Sequence, residues 1–243
     1  MIILKTWVLR MPKAIFFDWF YTLARFEPPR QQLYSQALRE FGIEISPEKA
    51  MRGILIADQY FFEENAKSPV AERSPEEQAE VYIHYPNAVL AEAGANVTKE
   101  LSLGIMKRVR EQFKGVAFAL FDDVLPTLKT LKQQNLTLGL LTNLDSDMVS
   151  ICRKLGLEPY LDFVITSKEV GADKPKPPIF LAALDKAGVS ASEAVHVGDQ
   201  YKLDVIGARG VGINPILIDR YDIYPEVNDC PRIHNLTELA QHL

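Results

Sequence analysis

An α/β fold, built on a doubly wound parallel sheet with a helical insertion after its first strand, is predicted by three features of this 243-residue chain. Short apolar runs ending in chemistry-bearing residues recur at 14–18, 137–143 and 194–199. From Asp122 onward short apolar strands alternate with helices, as a parallel sheet requires. The long interval between the first and second runs reads as helical, with no strand alternation. In order, residues 14–17 (AIFF) make a buried strand that stops at Asp18, and the chain then turns through Trp19, Phe20 and Tyr21 to Thr22. Residues 30–41 carry apolar positions at helical spacing and stop at Gly42. Ser46-Pro47 supplies an N-cap and a first-turn proline for a helix through Ile54, Ile56, Tyr60 and Phe61. Ser74-Pro75-Glu76-Glu77 opens the next helix, which Pro86 is expected to kink and Gly94 to end. Residues 98–114 form a fourth, closed by Gly115. The division expected is 1–26 with 116–243 for the sheet domain and 27–115 for the helical insertion. In the former, 124–134 and 177–187 are helices.

Four segments carry chemistry. The first is Asp18 at a strand end, the place where open α/β sheets put ligands. The second is TLGLLTN (137–143), ending in the Thr142 hydroxyl and the Asn143 amide. The third is TSKEVGADKPKPP (166–178), which holds Lys174 in a proline-stiffened loop; the neighbouring Lys176 is the alternative register. The fourth is AVHVGDQYKLD (194–204), a strand running into Gly198 and Asp199 with Asp204 five residues on. Each aspartate alone also reads as a turn residue or helix cap. The ordered set resembles the haloacid dehalogenase-like hydrolase superfamily, over roughly 13–27 and 122–219.

That resemblance implies a helical cap inserted after the first strand and a catalytic set of Asp18, Thr142 and Lys174. An ionised Asp18 is fit to be a nucleophile. Lys174 neutralises charge, and Thr142 with the backbone N–H groups after it binds anionic oxygens. Asn143, Phe20 and Tyr21 are the expected substrate contacts. Magnesium is the expected cofactor, held by the hard oxygens of Asp18, Asp199 and the Phe20 carbonyl, with Asp204 in or just behind that shell.

Phe20 departs from the family pattern, because family phosphatases carry a second Asp there to protonate the leaving alkoxide. A phenyl ring cannot transfer a proton, and losing a positioned acid costs about 10² to 10⁴ in rate. Haloacid dehalogenases have an aromatic at this position and phosphonatases an Ala. The dehalogenase branch, however, usually lacks the metal and the Gly-Asp segment that this chain keeps. Tyr21 is a second departure, since the family usually has Gly or a small residue beside the Thr. Three functions stay open: a magnesium-dependent phosphatase of a small phosphorylated metabolite, a metal-independent 2-haloacid dehalogenase, and a catalytically weakened binding protein.

A net charge of -5 argues against nucleic acid or an anionic membrane surface as partner and is compatible with a small anionic substrate. No segment approaches the roughly 20 apolar residues of a membrane helix. Two cysteines, Cys152 and Cys230, make no disulfide framework, so a reducing cytoplasm is expected. Either Met1 or Met11 serves as the start; in the latter case 1–10 is an extension. His196, inside an apolar strand, reads as a core histidine. Tyr60, Phe61 and Phe62 read as cap core with one turned away, because three consecutive residues cannot share a helix face. Arg25, Arg30, Arg39 and Arg52 are candidates for a substrate carboxylate or halide. Oligomeric state is not specified by any of these features.

Overall fold

The computed structural model describes residues 11–144 and 146–243; the expected extension at 1–10 lies outside the described residues. The elements run β1 (Ala14–Phe17), β2 (Ala24–Glu27), α1 (Arg30–Glu40), α2 (Pro47–Lys67), α3 (Pro75–Tyr82), α4 (His84–Glu92), α5 (Lys99–Gln112), β3 (Ala117–Leu120), α6 (Val124–Gln133) and β4 (Thr137–Thr142). There follow α7 (Met148–Lys154), β5 (Phe163–Thr166), α8 (Ser167–Val170), α9 (Pro177–Ala187), β6 (Ala194–Gly198), α10 (Ile206–Gly210), β7 (Asn214–Ile218) and β8 (Arg232–Ile233).

Six strands form one sheet in the order β5-β4-β1-β6-β7-β8, with parallel neighbours throughout. The four residues of β1 are all buried, which is why its sequence is continuously apolar rather than alternating. β1 is flanked by β4 and β6, with Phe17 level with Leu140 on one side and Val197 on the other. Beyond β1 the chain first builds β4 and β5 to one side and then β6, β7 and β8 to the other. The strand order therefore reverses beside β1, and ligand crevices of open α/β sheets form at such a point.

The described residues fall into two compact units, one running up to Arg25 and resuming at Leu120–Leu243, the other Phe26–Ala119. β2 and β3 pair as a two-stranded ribbon where the chain leaves the first unit and returns to it. That ribbon has no counterpart in the sequence reading, because ARFE and AFAL are too short to show alternation. The expected caps are present. Ser46 and Thr98 accept the N–H of Lys49 and Leu101, Ser74 forms a capping box with Glu77, and Gly42, Gly94 and Gly115 take positive φ. Pro86 does more than kink its helix. Its ring opposes the carbonyl four residues back, on Tyr82, and α3 ends at Tyr82 with α4 starting beyond Ile83.

The helical unit packs around Leu38, Ala50, Ile54, Val89, Leu90, Ile105 and Val109. Arg30 is buried there, 2.7 Å from Asp58, which also accepts the Tyr85 hydroxyl at 2.7 Å. Of the arginines considered for substrate, Arg30 is therefore committed to a buried pair, and Arg39 lies 3.4 Å from Glu44. Tyr60, Phe61 and Phe62 are all half-buried; Tyr60 stacks on His84 and Phe61 on Tyr82. Among the described residues no helix is long and apolar enough to cross a membrane.

Gly53 lies in α2 where α4 passes closest, and a Cβ there would fall 2.7 Å from the Val89 Cα. Gly→Ala inside a helix ordinarily stabilises by about 0.5–1 kcal/mol. Here the backbone clash reverses the sign. Gly53→Ala should destabilise by about 1–3 kcal/mol, read as a lowered Tm in thermal unfolding.

Candidate active site

Because β1 sits between β4 and β6, the residues that follow these three strands converge at one edge of the sheet. The Asp18 N–H donates to the Val197 carbonyl at 2.8 Å, locking the exit of β1 to β6. Asp204 stands on a single π-helical turn, Tyr201–Val205, and its carboxyl packs against Gly198 so closely that a Cβ there would meet Asp204 Cγ at 2.2 Å. The glycine of the Gly-Asp pair thus exists to admit Asp204. One oxygen each from Asp18, Asp199 and Asp204 lies within 4.8 Å of the others, and all three residues are buried.

Among the described residues, a single ammonium enters this cluster. Lys174 Nζ donates to Asp18 Oδ1 at 2.5 Å and to Asp204 Oδ1 at 2.6 Å, whereas Lys176 is exposed. Asn143 braces the loop that delivers it: its Oδ1 accepts the Lys174 N–H at 2.8 Å and its Nδ2 donates to the Lys174 carbonyl at 3.2 Å. The amide read in the sequence as a substrate contact is engaged at both ends in positioning Lys174. Thr142 is buried, and its Oγ1 accepts the Leu144 N–H at 3.1 Å. That N–H, expected among the anion donors, is taken up inside the turn. The Thr142 O–H keeps a hydrogen to give.

Asp204 is the best-supported carboxylate. Its Oδ1 also meets His196 Nε2 at 2.9 Å and its Oδ2 accepts the Gln200 N–H at 3.0 Å. His196 is a core histidine, as read, but one that holds Asp204 in place, a role no local pattern signals. Asp199 is the least supported: Oδ2 accepts from Gln200 Nε2 at 3.1 Å, while Oδ1 is buried with no hydrogen-bond partner among the described residues.

These environments set the protonation states. Burial raises Asp18 to about 6, with the Asp204 charge adding to it and Lys174 pulling the other way. Burial, then the charges of Asp18 and Asp204, push Asp199 well above the carboxylate range. For Asp204 burial acts upward but Lys174 and the His196 bond outweigh it, so it stays ionised. Burial likewise opposes the Lys174 charge and the two carboxylates overrule it. His196 is held below its usual value by burial.

Phe20 and Tyr21 follow Asp18 in a strained turn. Tyr21 is buried with φ +60, in the left-handed region, at a cost of about 1–3 kcal/mol that neighbours must over-determine. Its N–H donates to the Ala24 carbonyl at 2.7 Å, and its ring lies 4.1 Å from Phe20 and 5.5 Å, edge on, from Tyr221.

The sequence profile of the haloacid dehalogenase-like hydrolases matches residues 12–212. A Danio rerio protein named haloacid dehalogenase-like hydrolase domain-containing protein 3 is 38% identical over 121 residues, half of each chain. A ribulose-1,5-bisphosphate 5-phosphatase from Halopiger xanaduensis is 37% identical over 102 residues, 42% of this chain and 43% of that one. The chain thus spans about half or less of the length of these curated relatives. The crystal structure of a 2-haloacid dehalogenase from Pseudomonas syringae is 29% identical, with a TM-score of 0.55, over 95% of this chain and 97% of that one.

A buried carboxylate with a bare oxygen beside two others is unfavourable unless a cation joins it. Because the raised groups bind extra protons in the fold, stability without divalent cation falls as pH rises from about 4 through about 6, where Asp18 ionises. Magnesium should therefore raise Tm more at pH 7.5 than at pH 5. Asp199→Asn should raise the metal-free Tm at pH 7.5 by about 2–4 °C per kcal/mol gained and erase the magnesium response. Scanning calorimetry with magnesium and with chelator reads both; an equal magnesium response in wild type and variant would count against cation binding at Asp199.

Proposed function

This chain belongs to the haloacid dehalogenase-like hydrolase family, and on that premise we propose that it is a magnesium-dependent phosphatase acting on a small phosphorylated metabolite. The observation that carries the reading is the bare, buried Asp199 Oδ1 in a cluster of three carboxylates with one ammonium. Hard oxygens in that arrangement fit magnesium, which accepts few protein ligands. Asp18, Asp199 and the Phe20 carbonyl would hold it, and it would neutralise charge on the phosphoryl group. Both oxygens of Asp204 are engaged, so its part is to orient Lys174 from behind. The Halopiger relative's name supports a phosphate-ester substrate. The helical insertion, near 27–115, is proposed as the cap that selects this substrate, in a reducing compartment where Cys152 and Cys230 stay thiols.

In this reading an Asp18 oxygen attacks phosphorus as the bond to the leaving oxygen breaks, giving an aspartyl phosphate. Lys174 neutralises the nucleophile and the Thr142 hydroxyl binds a phosphoryl oxygen. Water then attacks the same phosphorus, releasing inorganic phosphate and restoring Asp18. Phe20 supplies no proton to the departing oxygen. The second reading, a 2-haloacid dehalogenase, draws support from that same Phe20 and from the Pseudomonas structure. A halide leaves unprotonated, so that chemistry has no need of an acid at this position.

Parallel assays separate the two. Phosphate release from p-nitrophenyl phosphate with magnesium, and not with chelator, is the expected result; halide release from 2-chloropropionate regardless of metal would select the dehalogenase. Asp18→Asn should abolish turnover in a folded protein, since an amide is a very poor nucleophile. With the acid missing, aryl phosphates should outpace alkyl phosphates by about 10² or more. Phe20→Asp should narrow that gap; an equal loss on both substrate types in a folded variant would argue against the missing-acid account.

A further inference from the structure

The strained turn at 19–22 is gripped from outside by a loop that follows β7. Arg220 Nη2 donates to the Thr22 carbonyl at 2.8 Å. The same guanidinium forms a two-pronged pair with Asp123, at 2.9 and 3.1 Å, and lies 4.0 Å over the Phe121 ring. It therefore ties the outgoing chain at Thr22 to the returning chain at Phe121 and Asp123, where the Phe121 N–H also donates to the Leu23 carbonyl at 3.1 Å. The adjacent Tyr221 sets its ring edge on that of Tyr21, the residue at φ +60. The grip is itself anchored. Asp219 accepts the N–H groups of Ile223 and Tyr224 at 2.9 Å each and pairs with Arg232 at 2.9 Å, while Asp123 accepts the Leu236 N–H at 2.7 Å.

We propose that Arg220 and Tyr221 are positioning residues, a clamp that fixes the turn after Asp18 and with it the carbonyl of Phe20. The inference rests on the phosphatase reading for its catalytic consequence only. A guanidinium is required because its planar fork reaches the Thr22 carbonyl and both oxygens of Asp123 together, which a lysine ammonium cannot reproduce. The fold alone needs no such clamp at this point, since β1 is already held on both sides by β4 and β6.

The experiment pairs two readouts on Arg220→Lys, Arg220→Ala, Asp123→Asn and Tyr221→Ala. Hydrogen exchange at the Tyr21, Leu23 and Ala24 amides, whose bonds close the turn, reports its order without any catalysis. Steady-state hydrolysis of p-nitrophenyl phosphate with magnesium reports its consequence. Both Arg220 variants and Asp123→Asn should speed exchange at these amides by about tenfold or more, with the β4 and β6 amides unchanged. They should lower kcat by about tenfold while KM stays within about twofold. Tyr221→Ala should do the same more weakly.

Wild-type exchange in Arg220→Lys overturns the clamp, because charge alone would then suffice. Faster exchange with unchanged kcat overturns the positioning role and leaves a merely structural one. If the wild-type protein hydrolyses no phosphate ester, the phosphatase reading falls, and the exchange measurements alone decide the clamp. Should Arg220→Ala fail to fold, Arg220→Lys and Asp123→Asn carry the test.

Discussion

One buried ammonium among three buried carboxylates is the interaction on which the rest of the active-site architecture depends. Lys174 donates directly to Asp18 and Asp204 and reaches Asp199 only through its charge. With every group ionised the cluster carries an excess of two negative charges, a heavy load at this depth. The cluster distributes the load unevenly. Asp204 has the ammonium, a histidine nitrogen and a backbone N–H, Asp18 has the ammonium and the Trp19 backbone, and Asp199 has a side-chain amide. The difference in support shows in protonation: Asp204 stays ionised, whereas burial raises both Asp18, to about 6, and Asp199, well above the carboxylate range. The weakest member is thus the one with a free oxygen to offer a cation.

Several oddities of local structure follow from delivering these groups. Gly198 must lack a side chain because Asp204 occupies its space, and Asp204 reaches that space from a π-helical turn rather than a regular helix start. Asn143 gives up its amide to hold the backbone of Lys174, so the ammonium arrives from a braced loop rather than a mobile one. Long lysine side chains lose appreciable rotamer freedom when fixed. Two hydrogen bonds between its own backbone and the Asn143 side chain, and two from the head group, offset that loss.

The parts of this arrangement that could be read from the sequence are the local ones. A parallel strand buried on both faces writes itself as an unbroken apolar run, so Asp18, Thr142 and Asp199 announced themselves as strand-end residues. Helix starts were equally legible, since Ser46, Ser74 and Thr98 act on N–H groups three residues away. What escaped is non-local or too short. β8 is two residues long, and the ribbon of β2 and β3 pairs segments with almost the whole helical insertion between them. Arg220 finds Thr22 across 198 positions of chain, and His196 meets Asp204 only because a π turn redirects the carboxylate. No spacing rule encodes such meetings.

The conflict between Phe20 and the carboxylate cluster is best resolved by asking which of the two is expensive to keep. An aromatic two residues after Asp18 buries no charge; its ring packs on Tyr21 in a turn that is already crowded. Three buried carboxylates, one with a bare oxygen, impose a penalty on folding that an uncharged residue at Asp199 would remove. A site for halide displacement has no use for that penalty, because its leaving group departs as an anion and its nucleophile needs only Lys174. A site for phosphoryl transfer would have a use for it, since a cation drawn to Asp199 would help neutralise phosphoryl charge. The penalty falls on the carboxylate half of the site and the departure on the half that carries no buried charge. That asymmetry favours phosphoryl chemistry with an impaired proton donor over a dehalogenase burdened with an idle carboxylate.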